Sequence, residues 1–143
     1  MQRTQEIGPH TLRFLADDAF CVTLRGVVQP EEVQSIVAVE LACAEKHGYV
    51  LVVIDATAVT GLPAETRREA SQLLPRLKDI QGLGVIYGTS QTARVLFGML
   101  LSAMRILSRE ASMFQTHFVA NEAEALRQVH EARARFQSHS QPR

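Results

Sequence analysis

The chain has 143 residues, 46% apolar and 21% charged, which fits one globular domain with a core of ordinary size and excludes a disordered chain. Fifteen basic residues offset fifteen acidic ones, so the composition gives no overall electrostatic drive toward nucleic acid or an anionic membrane. No run reaches the roughly 18–20 apolar residues of a membrane span, and the opening MQRTQEIGPH has no apolar signal-peptide core.

The first predicted element is a β-hairpin. Leu12 and Phe14, then Phe20, Val22 and Leu24, recur at period two, with turn chemistry at Ala16-Asp17-Asp18. The strands are placed at His10–Leu15 and Ala19–Arg25, closed by Gly26, and the ends, about 1–8 and 138–143, are expected to fray. The next element is a helix over Pro30–His47. Pro30 suits a first helical position, and Glu31 and Glu32 suit the positive end of the helix dipole. Val33, Ile36, Val37, Glu40, Leu41 and Ala44 follow helical spacing, and Gly48 caps the end.

YVLVVID is a continuous β-branched run, as expected of a strand covered on both faces. A loop Ala56–Leu62 follows, then a helix Pro63–Leu77 whose Glu65, Arg67, Arg68 and Glu69 face solvent. LGVIYG is a second buried strand, SQTARVLFGMLLSAMRILSR a long helix and QTHFVA a last strand. Asn121 and Glu124 form a capping-box pair that opens a final helix, about Glu122–Phe136. The order ββαβαβαβα implies a single α/β domain, in which a hairpin precedes three β/α units. Its sheet is five-stranded and mostly parallel, with helices packed on it.

In such sheets sites gather at the carboxyl ends of the parallel strands, here Asp55, Gly88-Thr89-Ser90-Gln91 and Ala120-Asn121. Ser90 is placed to cap the long helix, beside backbone N–H groups suited to an anion. Asp55 reads first as a loop cap that bonds backbone N–H groups, and second as a catalytic acid, which requires another titratable group within reach. None of the five histidines (His10, His47, His117, His130, His139) lies in a motif beside it, although His117 falls in a neighbouring strand. GxSxG, HExxH, Walker and GxGxxG motifs are absent. Cys21 and Cys43 have no metal or redox spacing and read as buried thiols of a cytoplasmic protein, with no cofactor or metal. In the long helix, Ala93, Leu96, Phe97, Leu100, Ala103, Met104 and Leu107 form one apolar stripe. Val95, Met99, Ser102 and Ile106 form a second, which must meet another part of the chain, a partner or an apolar ligand.

The element order, VLVVIDATAV and LGVIYGTSQTARVLFGMLLSAM together resemble SpoIIAA-like proteins of the STAS superfamily, across about His10–Phe136. That group is related in fold to CRAL-TRIO lipid-transfer domains. Asp55 matches the acid that ends the family's buried strand, Thr57 the following hydroxyl, and Val59 and Leu62 its apolar positions. The family's Asp-Ser-(Ser/Ala)-Gly switch is replaced here by Pro63-Ala64-Glu65-Thr66, so the phosphorylatable serine is missing, with Thr60 and Thr66 nearby at shifted positions. The resemblance implies a bacterial, non-enzymatic protein-interaction or regulatory module. Its expected partner surface is Asp55, Thr57, Thr60, Leu62, Ala64, Arg67, Thr89 and Ser90. A homodimer through Val95, Met99, Ser102 and Ile106 is a second expectation. The competing readings are a small-molecule or lipid binder of CRAL-TRIO type, which requires an apolar pocket of several hundred Å³, and an enzyme using Asp55.

Overall fold

The computed structural model describes residues 3–91, 93–95, 97–98 and 113–140. Six strands form one sheet in chain order: β1 (Thr4–Ile7), β2 (His10–Ala16), β3 (Ala19–Val27), β4 (Val50–Gly61), β5 (Gly82–Tyr87) and β6 (Phe114–Phe118). β1, β2 and β3 pair antiparallel, and β3 through β6 run parallel. The α/β class and the mostly parallel sheet agree with the sequence reading. The sixth strand, β1, lies in the segment expected to fray. Only Ile7 of its four residues is buried, so β1 carries no alternating pattern.

The described helices are α1 (Pro30–His47), α2 (Ala64–Leu73), continued by a 3₁₀ turn Leu74–Leu77, and α3 (Glu122–Ser140), with helical backbone also at Gln91 and at 93–95 and 97–98. α1 has the predicted bounds. The Gln29 N–H donates to Glu32 Oε1 at 2.7 Å, and Gly48 closes the helix at φ 81°. α3 begins where predicted and extends past Phe136 into the expected tail. The Glu124 N–H donates to Asn121 Oδ1 at 2.9 Å, while the Glu124 carboxylate pairs with Arg127, so one half of the capping box is made.

The period-two alternation of the strands divides the core between two faces. Leu12, Phe20, Val22, Leu24, Val50 and Val52 face α1, meeting Ile36, Cys43 and Ala44. Ala19, Cys21, Leu51, Val53, Leu83 and Val85 face α3, whose buried stripe is Ala125, Val129, Ala132 and Phe136. A strand covered on both sides explains the unbroken apolar run of β4.

β4 also corrects one expectation. The run read as a loop, Ala56–Leu62, is strand as far as Gly61, pairing Arg25 with Ala58, Gly26 with Val59 and Val27 with Gly61. Its register slips between Thr23 and Arg25 and again between Gly26 and Val27, so β4 carries extra residues opposite β3. Thr57, Val59 and Thr60 are β-branched and suit extended backbone, while bulges re-aim side chains at the end of a sheet.

His10 joins the hairpin to α1. Fully buried, its Nδ1 accepts the Arg25 N–H at 2.9 Å, which leaves the proton on Nε2 to be donated to Glu32 Oε1 at 2.8 Å. The contacts fix the neutral tautomer.

Candidate partner-binding site at the carboxyl ends of the parallel strands

Thr23, Asp55 and Tyr87 lie side by side on β3, β4 and β5. Asp55 Oδ1 accepts the Thr57 N–H at 3.0 Å, a bond to a backbone amide as foreseen, but made within β4 rather than at the start of a loop. Burial, and then the neighbouring Asp55 carboxylate, push the Tyr87 phenol above its ordinary range. His117 on β6 spends its Nδ1 on Gln128 of α3, at 2.8 Å. The described contacts of Asp55 are thus a backbone amide and a tyrosine, with no histidine.

The turn after β5 touches β4. Gly88 sits at φ 76°, and a Cβ there would overlap the Thr57 hydroxyl, so glycine is required both by its backbone angle and by the close approach. Beyond it, Ser90 Oγ accepts the Ala93 N–H at 3.1 Å and Ser90 O accepts the Arg94 N–H at 2.8 Å, which makes Ser90 the predicted helix cap.

The expected contact residues fall into three groups. Thr57, Thr60, Ala64 and Ser90 are exposed along one end of the sheet. Asp55, Arg67 and Thr89 are half-buried, and Arg67 donates to the Leu62 carbonyl at 2.7 Å, tying α2 to the end of β4. Leu62 is core, packed within the α1-side cluster, and supplies no contact surface. Thr66, one of two hydroxyls near the missing switch serine, is 1% exposed and donates to the Val28 carbonyl at 2.7 Å. Its hydroxyl is engaged in packing, which leaves Thr60 as the exposed one of the two.

The start of the long helix shows both stripes. Ala93 is buried and Phe97 packs on the core, while Val95 is 56% exposed. Met99, Ser102 and Ile106 lie outside the described residues.

Two buried acids complete the polar interior, and neither was singled out from the sequence as a site. Asp18, in the β2–β3 turn, accepts from Arg133 Nε and Nη2, both at 2.9 Å, and from the Tyr49 hydroxyl at 2.7 Å. Burial works against its charge, but the hydrogen bonds from Arg133 and Tyr49 outweigh that and hold the carboxyl below its ordinary value. Glu40, on the inner face of α1, is 5% exposed and lines an apolar cavity of about 120 Å³. Burial alone raises its carboxyl to about 8. By itself this cavity is smaller than the several hundred Å³ that the lipid-binding reading requires. Among the described residues no cluster of three His, Cys, Asp or Glu side chains is placed to hold a metal, and no helix is long and apolar enough to cross a membrane.

No protein-family model matches the chain, and no curated protein sequence matches it. Solved structures do. The anti-sigma factor antagonist SpoIIAA in its unphosphorylated form aligns over 90% of this chain and 98% of its own, with a TM-score of 0.55 at 16% identity. An uncharacterized DUF3478-family protein with a SpoIIAA-like fold, from Shewanella loihica, aligns over 90% and 92%, with a TM-score of 0.48 at 15% identity. With a hairpin leading into parallel strand–helix units along nearly its whole length, the chain has the SpoIIAA-like fold.

Proposed function

We propose that the protein is a non-enzymatic interaction module that binds a protein partner through the carboxyl ends of β4 and β5 and the start of α2. The observation that carries this reading is the exposed row Thr57, Thr60, Ala64 and Ser90, held on a backbone pinned by Asp55, Gly88 and Arg67. Exposed side chains on a fixed frame lose little conformational entropy on docking, which favours association. The fold shared with an anti-sigma factor antagonist supports the same reading. Pro63 and Ala64 stand where that family's switch begins, and the Thr66 hydroxyl is buried and bonded, so binding is not governed by a serine phosphate at that turn.

The test is native mass spectrometry of the protein purified from its own host, beside a Thr57→Arg/Ala64→Arg variant. The expected result is a non-covalent complex with a discrete protein mass, reduced at least about tenfold in the variant with melting unchanged. A chain that carries no protein, or a complex that the variant keeps in full, would overturn the assignment.

A further inference from the structure

On the α1–α2 side of the sheet the described side chains leave a volume open. Its origin lies in β5, where residues 82, 84 and 86 alternate onto the α1 side and the first two are glycines. A Cβ at Gly82 would overlap the Phe114 ring, so that ring, from β6, lies across the bare backbone. Beside it a cavity of about 120 Å³ remains between Val52, Ile54 and Gly84 of the sheet and the inner faces of α1 and α2. Glu40 contributes the one ionisable side chain among its described lining residues. No described side chain hydrogen-bonds to that carboxyl, whereas Glu32, two turns earlier on α1, accepts from both His10 and the Gln29 N–H through its Oε1. The Thr66 hydroxyl, also at the wall, is already donated to Val28.

A largely buried carboxyl with no hydrogen-bond partner among the described residues is costly to keep, because it has lost most of its water and gained no bond in return. Surrounded by apolar walls, it is held as the neutral acid, which both donates and accepts a hydrogen bond. A cavity of this size holds about six or seven non-hydrogen atoms, near the scale at which an apolar cavity of ~150 Å³ takes up benzene. We infer that the cavity between α1, α2 and the sheet binds a compact, uncharged molecule with an apolar ring or branched body and a single hydroxyl or amide group, which pairs with the Glu40 carboxyl. A charged amine or carboxylate would have to shed its own hydration in the same apolar space, which disfavours ionic ligands.

Phenol and toluene are matched probes of this site, differing by a hydroxyl in place of a methyl. A purely apolar cavity favours toluene, since burying an unpaired hydroxyl is unfavourable. Each is titrated into the full chain with the Val, Ile and Leu methyl groups observed by NMR. The expected result is saturable shifts at Val33, Ile36 and Val52, with phenol bound more tightly than toluene. Glu40→Leu should reverse that order and Glu40→Gln, which keeps a hydrogen-bonding group, should preserve it. Toluene bound more tightly by the unaltered chain, or no shift at these methyls with either probe, would overturn the inference. So would a preference for phenol that survives in a folded Glu40→Leu variant.

Discussion

On the α3 side of the sheet, Asp18 lies beneath a bidentate Arg133 and the Tyr49 hydroxyl, and Gln137 extends the network by donating to Tyr49 at 3.3 Å. On the α1–α2 side, Glu40 lies in apolar surroundings beside open volume, with no hydrogen-bond partner among the described residues. Both acids are buried, but burial raises one carboxyl to about 8 while donated hydrogen bonds hold the other below its ordinary value. The difference teaches that desolvation alone does not set the state of a buried acid; the groups aimed at it do. It also separates the two sides by role. The α3 side is fastened by a charged network whose members are 115 residues apart in sequence, as a scaffold requires. The α1–α2 side keeps an unspent polar group.

The largest effect that sharpens this contrast is the pH dependence carried by Glu40. Its folded value lies above its ordinary one, so the folded chain stays protonated where the unfolded chain ionises. The stability is whole below about pH 4.5 and drains as pH rises toward about 8, by on the order of 5 kcal/mol in all. Urea unfolding across that window should show the loss, and Glu40→Leu should flatten it and leave the variant the more stable protein at pH 8.

Breaking the other side comes next. Arg133→Leu leaves Asp18 buried without its cation and should destabilise the fold by about 2–4 kcal/mol at pH 7. Here the sign is opposite. Asp18 is depressed in the folded state, so its contribution is present above its ordinary value of 3.8 and is lost as pH falls through the folded value. The gap between variant and parent should therefore close in acid.

His10→Ala tests the anchor of α1. It strands the Arg25 N–H and removes the proton that His10 donates to Glu32, at a cost of about 1–3 kcal/mol in chemical denaturation. The smallest effect on stability is expected at Val95, whose side chain is already exposed. Val95→Glu should leave melting within about 0.5 kcal/mol. If the second stripe is a homodimer interface, it should also convert a dimer to a monomer in sedimentation velocity. A sedimentation coefficient that does not change would remove that stripe from the interface.

The parts of this fold legible in the sequence are those coded locally. The bounds of α1 follow from Pro30, the paired glutamates and Gly48, each of which acts within one turn of the helix. The buried character of β4 and β5 follows from their unbroken apolar runs. The extension of β4 to Gly61 was hidden, because Gly61 and Pro63 carry turn chemistry and the pairing with Arg25–Val27 that holds the strand is non-local. Asp18 with Arg133 is likewise a tertiary fact with no local sign. Glu40 is the instructive intermediate. Its place on the apolar stripe of α1 is visible in the spacing, but the cavity beside it is walled by Gly84 of β5, forty-odd residues away. At the candidate partner surface, the contact of Thr57 on β4 with the Gly88 turn follows from topology, whereas the burial of Leu62 and Thr66 depends on how α2 seats against the sheet.

The contrast between the two sides is tested most directly by titrating the side-chain carboxyl carbons of Glu40 and Asp18 together, by ¹³C NMR on one sample. The Glu40 midpoint should fall near 8 and the Asp18 midpoint below 3.8. A Glu40 midpoint in the ordinary range near 4.5 would contradict it, because the acid on the α1–α2 side would then be solvated or paired like any other.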